Sequence, residues 1–149
     1  MTISKIFDQY LEEKKKKLAP RTFGYYKDAI FYMKHSFNSY GHLSLDEEDH
    51  KLFDEKFNQG IEFCDLFGKE KLEESLFSEF LSYFLPKKIA TGYDTARKIC
   101  GASLNCYKWL VQNNYLKDDD VGFTVKELRE DFQFSWKEYN DAFEGADYF

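Results

Sequence analysis

The stretch that decides the fold is Pro20-Arg-Thr-Phe-Gly-Tyr-Tyr-Lys-Asp-Ala-Ile-Phe-Tyr-Met-Lys-His-Ser-Phe-Asn-Ser-Tyr40, closed by Gly41. Its apolar positions Phe23, Tyr26, Ile30, Met33, Phe37 and Tyr40 recur at intervals of 3, 4, 3, 4 and 3. That spacing is the inward stripe of one long α-helix, and a coiled-coil seam of under three heptads is too short to claim. Proline is tolerated in a first helical turn, and glycine suits a helix end. The same period continues on both sides. Ile3, Phe7, Tyr10 and Leu11 mark a first helix over Ser4 to Lys17, with Ile6 on its edge and Lys14, Lys15, Lys16 and Lys17 at its carbonyl end.

Downstream, Leu43 and Leu45 lead into Asp46, which suits the N-cap of a short acidic helix through Phe57. Ile61 to Gly68 reads as one or two further turns packed by Phe63, Leu66 and Phe67. Ser75 is the expected N-cap of a helix holding Leu76, Phe77, Phe80, Leu81 and Phe84, with Pro86 as its stop and Lys87 to Gly92 as a loop. A helix over Tyr93 to Gln112 turns Ala96, Ile99, Ser103, Cys106 and Leu110 inward, flanked by Ala102 and Trp109. Its small residues, Gly101 among them, are expected to admit a close neighbouring helix. Asn113-Asn114 supplies a left-handed stop. Lys117 to Asp120 reads as a linker. Thr124-Val-Lys-Glu127 and Ser135-Trp-Lys-Glu138 then have the capping-box pattern of short helices.

Composition agrees with an all-α reading. Val, Ile and Thr together number only fourteen of 149 residues, whereas 16 Phe, 11 Tyr and 2 Trp supply ample core material. Apolar residues at 43 % and charged residues at 32 % exclude disorder over the whole chain. No run approaches the 18 uncharged apolar residues of a membrane span, and Asp8 interrupts any signal-peptide core, so a cytoplasmic location is expected.

Cys64, Cys100 and Cys106 are an odd number without a Cys-x-x-Cys pair and read as small buried hydrophobes that stay reduced. His35, His42 and His50 fall within sixteen residues beside Asp46, Glu47, Glu48 and Asp49, but in no recognised metal-ligand spacing. They read as surface histidines beside a solvated acidic helix start, so neither metal nor cofactor is expected. A phosphate-cradling glycine loop and a nucleophile elbow are also missing.

Two stretches resemble the N-terminal core-binding, SAM-like domain of tyrosine recombinases, the phage-integrase family. The first is Phe7-Asp-Gln-Tyr10-Leu11, a lysine-rich spacer, then Ala19-Pro20-Arg21-Thr22 and Tyr26. The second is Phe80-Leu81-Ser-Tyr83, Thr95-Ala-Arg97-Lys98, Leu104, Tyr107, Trp109-Leu110 and Asn114-Tyr115-Leu116. The resemblance implies an orthogonal bundle of four main helices over residues 1–117. An acidic helical insert over about 46–71 would be longer than the family's usual link, and a short helical tail over 118–149 would follow. It also implies double-stranded DNA as the partner. The family's catalytic domain uses several arginines, a His-x-x-Arg element and a nucleophilic tyrosine. Here Arg21, Arg97 and Arg129 are the only arginines and no His-x-x-Arg occurs, so the eleven tyrosines read as packing residues and the chain as non-catalytic.

A net charge of −6 argues at first against nucleic acid. Its distribution argues otherwise. Residues 1–41 carry +4 and residues 87–117 carry +5, whereas 42–86 carry −8 and 118–149 carry −7. The basic blocks coincide with the recombinase-like motifs. Lys14, Lys15, Lys16, Lys17, Arg21, Thr22, Lys27, Lys87, Lys88, Arg97, Lys98 and Lys108 are therefore the candidate DNA contacts, provided the blocks share one face. Lysine outnumbers arginine by 18 to 3, which favours positioning on phosphates over bidentate base reading. The tail is acidic and rich in aromatics. Phe132, Trp136, Tyr139 and Phe143 are the candidates there for binding a second copy or another protein, or for covering the chain's own core.

Overall fold

The computed structural model describes residues 1–141, and among these there is no β-strand, only an isolated bridge between Thr2 and Gly68. Helix α1 spans Ile3–Lys17, and Thr2 caps it by accepting a hydrogen bond from the Lys5 N–H. Helix α2 spans Pro20–Tyr40, as its spacing predicts. A 3₁₀ turn, Gly41–Ser44, leads to α3, Glu47–Phe57, where the Asp46 carboxylate accepts from the Asp49 N–H at 2.8 Å. Then come the single turn α4, Phe63–Leu66, and α5, Glu74–Glu79. Helix α6 spans Tyr93–Gln112 and α7 spans Val121–Trp136.

Helix α6 is buried around most of its circumference, and Ile99, Cys100, Ala102, Leu104, Cys106, Tyr107, Trp109 and Leu110 all belong to the core. Cys100 and Cys106 are therefore both buried although they project from different sides, and all three thiols are unpaired. Burial pushes the Cys64 and Cys100 thiols up to about 12. A chain of aromatic contacts crosses the bundle. Phe7 of α1 meets Phe37 of α2 at 5.9 Å, Phe37 meets Phe77 of α5 at 5.5 Å, and Phe77 meets Tyr107 of α6 at 5.1 Å. On α1, Ile6 is fully inward and Leu11 only partly so, the reverse of their expected ranking. Asn114 adopts φ 63°, and the Tyr115 N–H reaches back to the Leu110 carbonyl at 2.8 Å, so the expected left-handed stop forms.

Pro86 does not end the α5 helix. The chain continues as π-helical turns over Phe80–Lys88, whose wider spiral accommodates the pyrrolidine ring that a regular helix would reject. Nor is Ser75 a cap. The helix starts after Glu73 without a side-chain cap, and the Ser75 hydroxyl donates to the Glu73 carboxylate instead. Among the described residues the tail is one continuous helical run where two short helices were expected. Asp120 caps α7 by accepting from the Phe123 N–H, Thr124 lies inside the first turn, and Ser135 is buried in the last turn, after which π-helical turns continue over Lys137–Asp141. The expected linker is likewise pinned, because the Tyr107 hydroxyl donates to Asp118 at 2.6 Å.

The acidic insert belongs to the same core through Phe53, Phe63, Cys64 and Phe67. Gly41 is buried against the Phe63 ring, and a Cβ built on it would stand 2.8 Å from that ring. Phe63 is wedged between Phe53 and Phe67 and has no room to retreat. Replacing Gly41 by Ala should therefore cost about 1–3 kcal/mol in urea unfolding, and an unchanged midpoint would show that the insert is not packed this way.

Candidate nucleic-acid interface

The junction of α1 and α2 is an extended two-residue elbow, Leu18-Ala19, and Ala19 offers the start of α2 no side-chain cap. Pro20 has no N–H and the Phe23 N–H donates to the Ala19 carbonyl, so the N–H groups of Arg21 and Thr22 are the ones left without a cap. These two side chains line a cleft of about 450 Å³ with Tyr25 and Tyr26 of α2 and Lys98, Gly101 and Ala102 of α6. The Lys98 ammonium stands 5.0 Å over the Tyr25 ring. Gly101 has nothing within 4 Å of where a Cβ would be. It keeps the cleft open and does not serve the close helix contact expected of it.

Behind the cleft, Tyr10 of α1 packs against Tyr26. The Tyr10 ring is buried, 6.3 Å from Tyr26 and 5.2 Å from Trp109, and its hydroxyl donates to the Asn105 side-chain carbonyl at 2.7 Å. The Lys14 ammonium stands 5.6 Å over the Tyr10 ring and helps to close it off from solvent. Glu13 accepts from the Trp109 indole at 2.7 Å and from Lys17 at 3.1 Å, and these bonds hold its carboxyl below the usual range.

Arg97, Lys98, Gly101, Asn105 and Lys108 share the solvent-facing stripe of α6, given its helical period. Asp94, one turn before, bonds Arg97 at 2.9 Å and Lys98 at 3.2 Å, and the two cations, Arg97 first, hold its carboxyl below its ordinary value. Lys15, Lys16, Arg21, Lys27 and Lys108 are exposed and form no ion pair among the described residues.

The two basic blocks are only partly united. Lys14, Lys17, Arg21, Thr22, Arg97, Lys98 and Lys108 gather around the elbow and α6, whereas Lys87 and Lys88 stand elsewhere. Lys87 lies between the Tyr83 and Tyr139 rings, at 5.5 and 5.4 Å, and Lys88 stands 5.9 Å over Tyr83. Tyr83 packs edge-on to Tyr40, the last residue of α2. Nineteen residues of helix separate Tyr40 from Arg21, about 28 Å at the usual rise.

Of the four tail residues, Phe132 and Trp136 are buried against Tyr93 in the chain's own core and offer a partner nothing. Tyr139 is half-exposed beside Lys87, and Phe143 lies outside the described residues. His35 is exposed, His42 and His50 are partly so, and all three line one open cleft between α2 and α3. Sequence reasoning missed Tyr25, Tyr10 and Asp94 as parts of the site. Helical spacing held the signal, since Tyr25 follows Arg21 by four residues and Asp94 precedes Arg97 and Lys98 by three and four. No protein-family model, no curated protein and no solved structure matches this chain.

Tyr10 and Tyr107 also make the fold sensitive to alkali. Burial, more than any neighbour, raises both phenols far above the ordinary tyrosine value. In the unfolded chain each ionises near 10, so above that pH the folded state holds more protons and stability falls as pH rises. An alkaline titration should show the last portion of phenolate absorbance appearing only as helical circular dichroism is lost. Complete ionisation of every tyrosine with the helices intact would contradict the burial of these two rings.

Proposed function

We propose that this chain is a non-catalytic DNA-binding module. In this reading α1, α2, the α5 segment and α6 form an orthogonal, SAM-like bundle of the tyrosine-recombinase core-binding kind. It contacts backbone phosphates through the elbow cleft. The observation that carries the reading is the convergence of Arg21, Thr22, Lys98 and the uncapped start of α2 on one open cleft, with Lys14 on the adjoining α1 surface. A phosphate seated there meets helix N–H groups and two cations together. Glu13 and Asp94 temper the face, so affinity should be modest, weakly sequence-selective and steeply salt-dependent. A second reading, a protein-interaction or oligomerisation module built on the acidic tail, draws on Phe123 and Phe134. These are exposed on α7 eleven residues apart and hence on one side of it.

Fluorescence anisotropy with a duplex of about 20 base pairs tests the first reading. Binding is expected near about 50 mM salt, with a loss of roughly tenfold or more by about 200 mM. Arg21→Glu with Lys98→Glu should weaken it by about tenfold, whereas Asp94→Asn, which releases two cations, should strengthen it by roughly threefold. Absence of binding at the lower salt, or no effect of the charge reversals, would sink the proposal.

A further inference from the structure

At the other end of α2 lies a larger cavity, about 670 Å³, whose lining joins aromatic and acidic groups and includes every histidine of the chain. Its floor is Phe53, buried in the core, with the His42 ring stacked flat on it at 5.2 Å and 4°. His50 meets His42 edge-on at 5.8 Å, and its Nδ1–H donates to the Asp54 carboxylate at 3.2 Å. An ionised carboxylate only accepts, so Nδ1 is the donor of this pair. His42 Nδ1 is buried without a hydrogen-bond partner. Across the cavity the Glu62 carboxylate takes one bond, from the Asn38 side-chain amide. The rim is apolar and open to solvent, with Leu43 at 72 % and Phe57 at 56 % exposure.

The lining thus holds two carboxylates among imidazoles and apolar side chains, and neither lysine nor arginine. An anion would meet Asp54 and Glu62 with no lysine or arginine in the lining to offset them. A metal ion fits poorly, because among the described residues no three His, Cys, Asp or Glu side chains stand together as a ligand set. A donor with a positive charge and an apolar body suits this lining: its N–H groups would meet the Asp54 and Glu62 carboxylates, and its stem would lie on Leu43 and Phe57. We propose that this cavity binds an organic cation, an ammonium or guanidinium group on an apolar stem. Its volume is that of a small-molecule site. The ligand chemistry is common to a free amine and to a lysine or arginine side chain of a partner protein.

Calorimetric and NMR titrations of the full chain at neutral pH with phenethylamine, 2-phenylethanol and 3-phenylpropionate test the proposal. Phenethylamine should bind saturably, with shifts centred on His42, His50 and Phe57, and the neutral alcohol should bind roughly fivefold more weakly. Asp54→Asn with Glu62→Gln should reduce amine affinity by about tenfold and leave alcohol affinity unchanged, since both carboxylates sit at the surface and their loss spares the core. Phe57→Ser should weaken both ligands. An Nα-acetyl-arginine amide separates the two sources: tighter binding than phenethylamine indicates a protein side chain, and weaker binding a free amine. Equal binding of the carboxylate and the amine, amine shifts outside the cavity, or an amine affinity unmoved by the double variant would overturn the proposal.

Discussion

The buried phenol of Tyr10 is the constraint on which the arrangement rests. A tyrosine removed from water must find a partner for its hydroxyl, and here that partner is Asn105 of α6, at 2.7 Å. The bond fixes the rotation of α1 about its axis and its depth against α6. With that settled, Glu13 falls one turn on beside the Trp109 indole and Lys14 falls over the Tyr10 ring. Tyr26 closes the other side, so α2 is seated on the same node. The elbow can then deliver the start of α2 only to the surface of α6 that carries Lys98 and Gly101. The cleft follows from packing, and its chemistry from which residues that packing leaves at the surface.

Helix α2 separates two chemistries. Its start bears Arg21 and faces the cations of α1 and α6, whereas its end borders the acidic α3 and the histidine-lined cavity. The overall charge of −6 averages over these two ends and describes neither. Local pairing matters as much as the block totals. Asp94 engages two cations of the basic surface and Glu13 a third, so the surface available to phosphate is smaller than a residue count suggests. For exposed pairs such contacts are weak, and a polyanion competes with them readily.

Much of the fold was legible in the sequence because one-sided helices advertise their buried stripe. The bounds of α2, α3 and α6 follow directly from spacing, Pro20, the Asp46 cap and Asn114. Legibility failed where tertiary packing overrides local signals. Pro86 is a stop only for a regular helix, and π turns pass it. Thr124 and Ser135 match a capping pattern, yet the burial of Leu128, Phe132 and Trp136 along one side carries α7 through both. For the candidate site, the basic residues near the elbow were legible as charge. The separation of Lys87 and Lys88 from them was not, because it depends on where the α5 segment lies against the far end of α2. The histidines met the same limit: their nearness in sequence carried no ligand spacing, and only the turn at Gly41 brings His42 onto Phe53 beside His50.

We propose the elbow cleft, and not the far lysine pair, as the surface that meets phosphate. Amide and side-chain NMR of the full chain, titrated with a short DNA duplex at low salt, tests it most directly. Shifts centred on Arg21, Thr22, Tyr25, Lys98 and Gly101, extending to Lys14, are expected, with Lys87 and Lys88 little affected. Shifts centred on Lys87 and Lys88, or spread evenly over all lysines, would contradict it.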